Sequence, residues 1–157
     1  MSEFRKWISE RGSWEAVGPN VTAAVQYAKQ HGGGDAVPVG VVGLCWGAQV
    51  SVHALKELSA DVYGAVLIHP PARLDPAEIE VCARPLAVLP SKDEGDFSAI
   101  EATLKSNAHS KLNVYRKFDD MHHGWCGARA DFENELNRQR THEAVQLSVD
   151  FFRAAFA

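Results

Sequence analysis

The sequence predicts an α/β domain, a three-layer α/β/α sandwich, from two observations: continuous apolar runs of strand length, and helix-compatible stretches that separate them. The runs are Val37 to Gly43 (VPVGVVG), Val62 to Ile68 (VYGAVLI) and Pro85 to Leu89 (PLAVL), with a fourth strand expected over Leu112 to Phe118. An unbroken apolar run suits a strand buried on both faces. Strands joined by right-handed helical crossovers then lie parallel, giving about four parallel strands covered on both sides. In such sheets, sites form at the carboxyl ends of the strands.

The helices follow from periodicity. Phe4, Trp7 and Ile8 stand at i, i+3 and i+4, a short amphipathic helix ending near Gly12. Pro19 suits a first helical position, and Val21, Ala24, Val25 and Ala28 form an apolar stripe that stops at Gly32, Gly33 and Gly34. Trp46 to Leu58 continues directly from the first strand. Phe97, Ile100 and Leu104 mark the helix between the third and fourth strands. The last helix is expected from about Asp131 to the C-terminus, burying Leu136, Val145, Val149, Phe152 and Phe156.

With 157 residues, 46% hydrophobic and 23% charged, the chain has the size and balance of one globular domain, 1–157. The formal net charge is -4 and no Lys/Arg cluster could neutralise a run of phosphates, which argues against nucleic acid. The opening MSEFRKWISERG is charged every few residues, unlike a secretory signal, and no run approaches a membrane span. A cytoplasmic location without membrane contact is therefore expected. Cys45, Cys82 and Cys126 are too few and odd in number for a disulfide framework and should stay reduced. A thiol in such a chain is by default a small buried core residue.

Cys45 departs from that default by its position. The first strand runs into Gly43-Leu44-Cys45-Trp46-Gly47, a G-x-C-x-G form of the nucleophile elbow. One strained residue between strand and helix leaves little room two positions away, hence glycine at 43 and 47. Its side chain projects above the sheet at a helix N-terminus, where the dipole and free N–H groups favour a thiolate. The backbone N–H of Trp46 can supply one oxyanion donor.

The third strand is followed by Ser91-Lys92-Asp93-Glu94-Gly95-Asp96 and the fourth by Asp119-Asp120-Met121-His122-His123-Gly124-Trp125. Nucleophile, acid and base thus occur in the order that the α/β-hydrolase topology imposes, each after its own strand. Asp93, close to the strand end, is the candidate to orient an imidazole; Glu94 is an alternative, and Asp96 reads as an N-cap. His123, which precedes Gly124, is favoured over His122 as the base.

The segments VGVVGLCWGAQV, IHPP, LPSKDEGDF and MHHGWCGAR resemble the dienelactone hydrolase family (carboxymethylenebutenolidase-like proteins) over nearly the whole chain. That resemblance implies an α/β-hydrolase fold with Cys45 as nucleophile, Asp93 as acid and His123 as base. It also implies that Arg129 corresponds to the family's arginine after the histidine, which helps hold an anionic substrate. Trp125 and His69 are further candidates to line the substrate pocket. Ala48 stands where members of the family usually have Gly. The strands that normally precede the nucleophile strand have no counterpart here, and with them go the second oxyanion donor and part of the pocket. The domain is accordingly expected to be incomplete, with an exposed sheet edge suited to homo-oligomers.

The expected activity is cysteine-dependent hydrolysis of a small lactone or ester, without metal or other cofactor. The alternative is a truncated, weakly active or inactive homologue acting as a binding module through its open edge. A metal site at His122, His123 and Cys126 is disfavoured, because adjacent histidines rarely face one ion.

Overall fold

The computed structural model describes residues 3–157, with the side chains of Phe4 and Arg5 excepted, so the expected role of Phe4 in the first helix lies outside the described residues. Strands β1 (Val39–Leu44), β2 (Val62–Ile68), β3 (Leu86–Leu89) and β4 (Val114–Tyr115) form one sheet in the order β1-β2-β3-β4. Every neighbouring pair is parallel. Among the described residues, six α-helices accompany them: α1 (Glu3–Glu10), α2 (Trp14–Gly32), α3 (Trp46–Glu57), α4 (Pro76–Glu80), α5 (Ser98–Ser106) and α6 (Glu135–Ala155).

The two-residue period of the central strands builds two cores. On β2 and β3, Ala65, Leu67, Leu86 and Val88 pack with Val25 of α2, Leu55 of α3, Ile79 of α4 and Leu104 of α5. The alternate residues Val66, Ile68, Ala87 and Leu89 face the other way and pack with Ala144 and Phe151 of α6. Both faces of the sheet are therefore apolar and covered, as unbroken Val/Leu runs require. β1 and β4 are the two edge strands, and Val42 in β1 remains 49% exposed.

Four expectations need correction. α2 begins at Trp14, after an extended Ser13, so Pro19 lies inside it and costs one bond to the Glu15 carbonyl. Gly18 explains the earlier start, since a Cβ there would lie 2.9 Å from the Trp14 ring. The buried stripe runs through Gly18, Val25 and Lys29, while Ala24 and Ala28 are exposed. β4 is shorter than Leu112 to Phe118 because Pro90 has no N–H to extend the ladder from β3 and the Asn113 side chain takes the Leu86 N–H at 2.9 Å. Pairing persists as single bonds from Arg116 to Val88 (3.1 Å) and from Phe118 to Pro90 (2.8 Å).

α6 also begins later than expected, at Glu135, and presents another face. Leu136, Val145, Val149 and Phe156 are exposed, and the buried residues are Asn137, Ala144, Ser148 and Phe151. Small residues let the helix approach the sheet closely, and its two aromatic rings cover strand glycines. A Cβ on Gly64 would lie 3.1 Å from the Phe151 ring, and one on Gly40 only 2.4 Å from Phe152. Hydrophobicity alone does not reveal a face chosen by glycines on another element. The fourth correction is α4, a short helix not expected from periodicity, which is capped by the Asp75 side chain on the Ala77 N–H at 2.9 Å and opened by Pro76.

Candidate functional site

Cys45 sits between β1 and α3 with φ 53° and ψ −124°, a backbone region that non-glycine residues avoid. The conformation is held from both sides: its N–H donates to the Ile68 carbonyl at 3.1 Å and its carbonyl accepts from the Ala48 N–H at 3.0 Å. Gly43 is obligatory for this crossing, because a Cβ there would lie 2.2 Å from the Gly47 carbonyl oxygen. Gly47 is not short of space: a Cβ there would meet nothing within 4 Å. Trp46 is the first residue of α3, so its backbone N–H, next to Cys45, has no acceptor within the helix. The Trp46 indole donates to the Gly12 carbonyl at 2.9 Å and meets the Trp7 ring edge-on at 5.1 Å, tying the α1–α2 junction to the elbow.

Beside Trp46 opens a cavity of about 480 Å³, walled by Trp14, His53 and Gln49 with Arg73 and Glu78 at its border. It lies between the α1–α2 junction, α3 and the loop after β2.

The imidazole of His123 is held by Glu94, not Asp93: Nδ1 and the Glu94 carboxylate are 2.6 Å apart. Glu94 is buried, and its carboxylate also accepts from the backbone N–H and hydroxyl of Ser91, the latter at 3.0 Å. These bonds form a capping box around the 3₁₀ turn Lys92–Glu94, and the turn folds Glu94 back over the end of β3. Asp93 points outward and accepts the backbone N–H of His123 at 2.8 Å. The sequence carried a signal for this in Ser91-x-x-Glu94, the capping-box pattern, which draws the Glu side chain inward. Two donors from Ser91 already converge on the Glu94 carboxylate, and a carboxylate acceptor suits the tautomer in which His123 Nδ1 carries the proton and Nε2 is free.

The loop carrying His123 is braced against its surroundings. The Lys92 N–H donates to the Met121 carbonyl at 3.1 Å, and Arg140 of α6 binds Asp120 at 2.7 Å, holding that carboxyl below its usual range. Arg129 donates to the His123 carbonyl at 3.0 Å while its aliphatic chain covers Gly124, whose φ is +89°. The sequence-derived Arg129 thus lies beside the imidazole residue. Asp96 accepts the Ser98 N–H at 2.8 Å at the start of α5, a capping contact that lowers its pKa.

Two expected pocket residues are placed differently. Trp125 is fully buried, packed on Phe118 at 4.6 Å between ring centroids, and cannot line a pocket. The chain reverses at Gly124, so residues on either side of it point to opposite sides, and Trp125 enters the α6 core. His69 is also buried, at 2% exposure, and does not open onto solvent as a pocket wall would. Its ring lies 4.8 Å from that of His123, and both ring nitrogens lack hydrogen-bond partners. Burial, reinforced by His123, lowers its pKa to about 4.

The other thiols are less available than an exposed one. Burial raises the pKa of Cys82 to about 11 and also raises that of Cys126.

The low pKa of buried His69 makes stability depend on pH. An unfolded histidine titrates near 6.5 and the native one near 4, so between these values the unfolded chain takes a proton that the native chain refuses. The contribution is complete above pH 6.5 and is lost as pH falls to 4, by about 3 kcal/mol. His123 and His122 face this ring and deepen the effect, while Glu94 opposes it. Urea unfolding at pH 7.5 and 4.5 should show a smaller loss of stability for His69→Phe than for the parent; equal losses would contradict the assignment.

The family model of the dienelactone hydrolase family matches residues 3–156. Two AIM2 family proteins of Schizosaccharomyces pombe, both described as uncharacterized, are 32% and 34% identical over 99% and 96% of this chain. The chain spans 60% and 58% of their respective lengths. Among the described residues, no helix is long and apolar enough to cross a membrane. A match over almost every residue, on a parallel α/β sheet with an elbow after its first strand, places this chain in the dienelactone hydrolase family.

Proposed function

We propose that the chain is a cysteine-dependent hydrolase of small esters or lactones, using Cys45, His123 and Glu94. The observation that carries this reading is the meeting of Glu94 and His123 at 2.6 Å, on the same end of the sheet as the strained elbow of Cys45. Glu94 takes the acid role expected of Asp93, and Asp93 pins the backbone of the base. With Nδ1 bonded to Glu94, Nε2 of His123 accepts the thiol proton.

The thiolate then attacks the carbonyl carbon, and the C=O electron pair moves to oxygen, facing the Trp46 N–H. As that oxygen re-forms its double bond, the C–O bond breaks and the leaving oxygen takes the proton from His123. The thioester is hydrolysed by water that gives a proton to His123; a second tetrahedral intermediate collapses to the carboxylic acid and the Cys45 thiol. The exposed guanidinium of Arg129, beside His123, suits a substrate carboxylate. His69 and Trp125, being buried, have no substrate contact in this scheme.

The experiment is acyl-enzyme trapping. Mixing with p-nitrophenyl acetate and quenching in acid should leave one acetyl group on the peptide containing Cys45. A second reading, an interaction module, is favoured by the open edge of β1 with its exposed Val42, and it predicts no adduct on Cys45.

A further inference from the structure

The hydrogen bonds around His123 do not by themselves lock its ring. Glu94 fixes where Nδ1 lies, and Asp93 and Arg129 fix the backbone N–H and carbonyl. A single hydrogen bond tolerates tens of degrees of misalignment, so small coupled changes in the two side-chain torsions of His123 would keep the Glu94 contact and still swing Nε2. What restrains the plane is the ring of His69, packed against that of His123 at 4.8 Å with 62° between the planes.

His69 is itself rigidly placed. It follows β2 directly, donates its backbone N–H to the Leu89 carbonyl at 2.9 Å, and is 2% exposed. The preceding residue, Ile68, accepts the Cys45 N–H at 3.1 Å. One turn of chain therefore touches the backbone of the nucleophile, the strand that leads to Glu94, and the ring of the base. The position is also costly: φ is +38° at a residue other than glycine, and both ring nitrogens are buried without partners. A packing role alone would be met by an apolar side chain without the orphaned nitrogens.

We infer that His69 is a positioning residue for His123, an uncharged second imidazole that fixes the plane of the base and so the aim of Nε2. The inference rests on the proposed role of His123, and it reaches beyond that role by naming what orients the ring besides the carboxylate. His69 must stay neutral for this, since an imidazolium there would repel the proton that His123 takes from the thiol.

The test uses two variants. His69→Asn tolerates a positive φ but has no flat aromatic ring to match the imidazole, and His69→Phe restores a flat ring. In His69→Asn, kcat for an aryl ester should fall about ten- to a hundredfold with KM within about twofold, the pattern of a misaimed group. His69→Phe should recover part of that loss. The ring ¹⁵N signals of His123 at one fixed pH, which need no turnover, should move or broaden in His69→Asn because the ring samples more orientations. A folded His69→Asn protein with parental kcat and unchanged His123 ring signals overturns the inference. If the parent hydrolyses no ester yet the ring signals change, the hydrolase reading fails and the positioning role stands.

Discussion

Replacing Cys45 with alanine is expected to reduce hydrolysis of an activated aryl ester to the uncatalysed level, a loss on the order of 10⁴-fold or more in kcat. The loss should be this large because the proposed covalent step has no other nucleophile at the elbow: the sulfur is held there by a backbone at φ 53°. Cys45→Ser keeps the geometry but substitutes a far less acidic hydroxyl, and should also lose most of the activity. Cys82→Ala and Cys126→Ala serve as controls, since burial raises both of those thiols and neither belongs to the elbow. Steady-state release of nitrophenolate measures all four. Turnover by Cys45→Ala at the parental rate would remove the thioester mechanism.

The second large effect separates two adjacent carboxylates. Glu94→Gln should lower kcat by about 10² to 10⁴, because the amide no longer stabilises the imidazolium and can present its NH₂ group to Nδ1, favouring the wrong tautomer. Glutamine still suits a capping box, so the fold of the 3₁₀ turn should survive. Asp93→Asn retains an oxygen that can accept the His123 backbone N–H, and the expected loss is no more than about tenfold. Comparing kcat for the two variants, with circular dichroism to check folding, gives a direct reading. A reversed order would return the acid role to Asp93.

Much of the fold could be read in advance from local pattern. β2 was expected at Val62 to Ile68 and is found at those residues, because a strand buried on both faces declares itself as an unbroken apolar run. The elbow was visible as Gly43-x-Cys45-x-Gly47 because one backbone conformation demands a small residue, at Gly43, close to a helix. The buried face of α6 was not visible in this way. It is chosen by Gly40 and Gly64, far away in sequence, which make space for Phe152 and Phe151.

The carboxylate partner of His123 and the packing of its ring belong to that second kind. Sequence alone determined the layered α/β architecture, the elbow cysteine and the loops that would supply a carboxylate and an imidazole, since each depends on residues within one short segment. Only tertiary structure decided that Glu94 turns inward while Asp93 meets a backbone N–H, that Trp125 enters the core, and that His69 lies against His123. Those outcomes depend on how three strand ends come together in space, and hydrogen-bond geometry there distinguishes side chains that look equivalent along the chain.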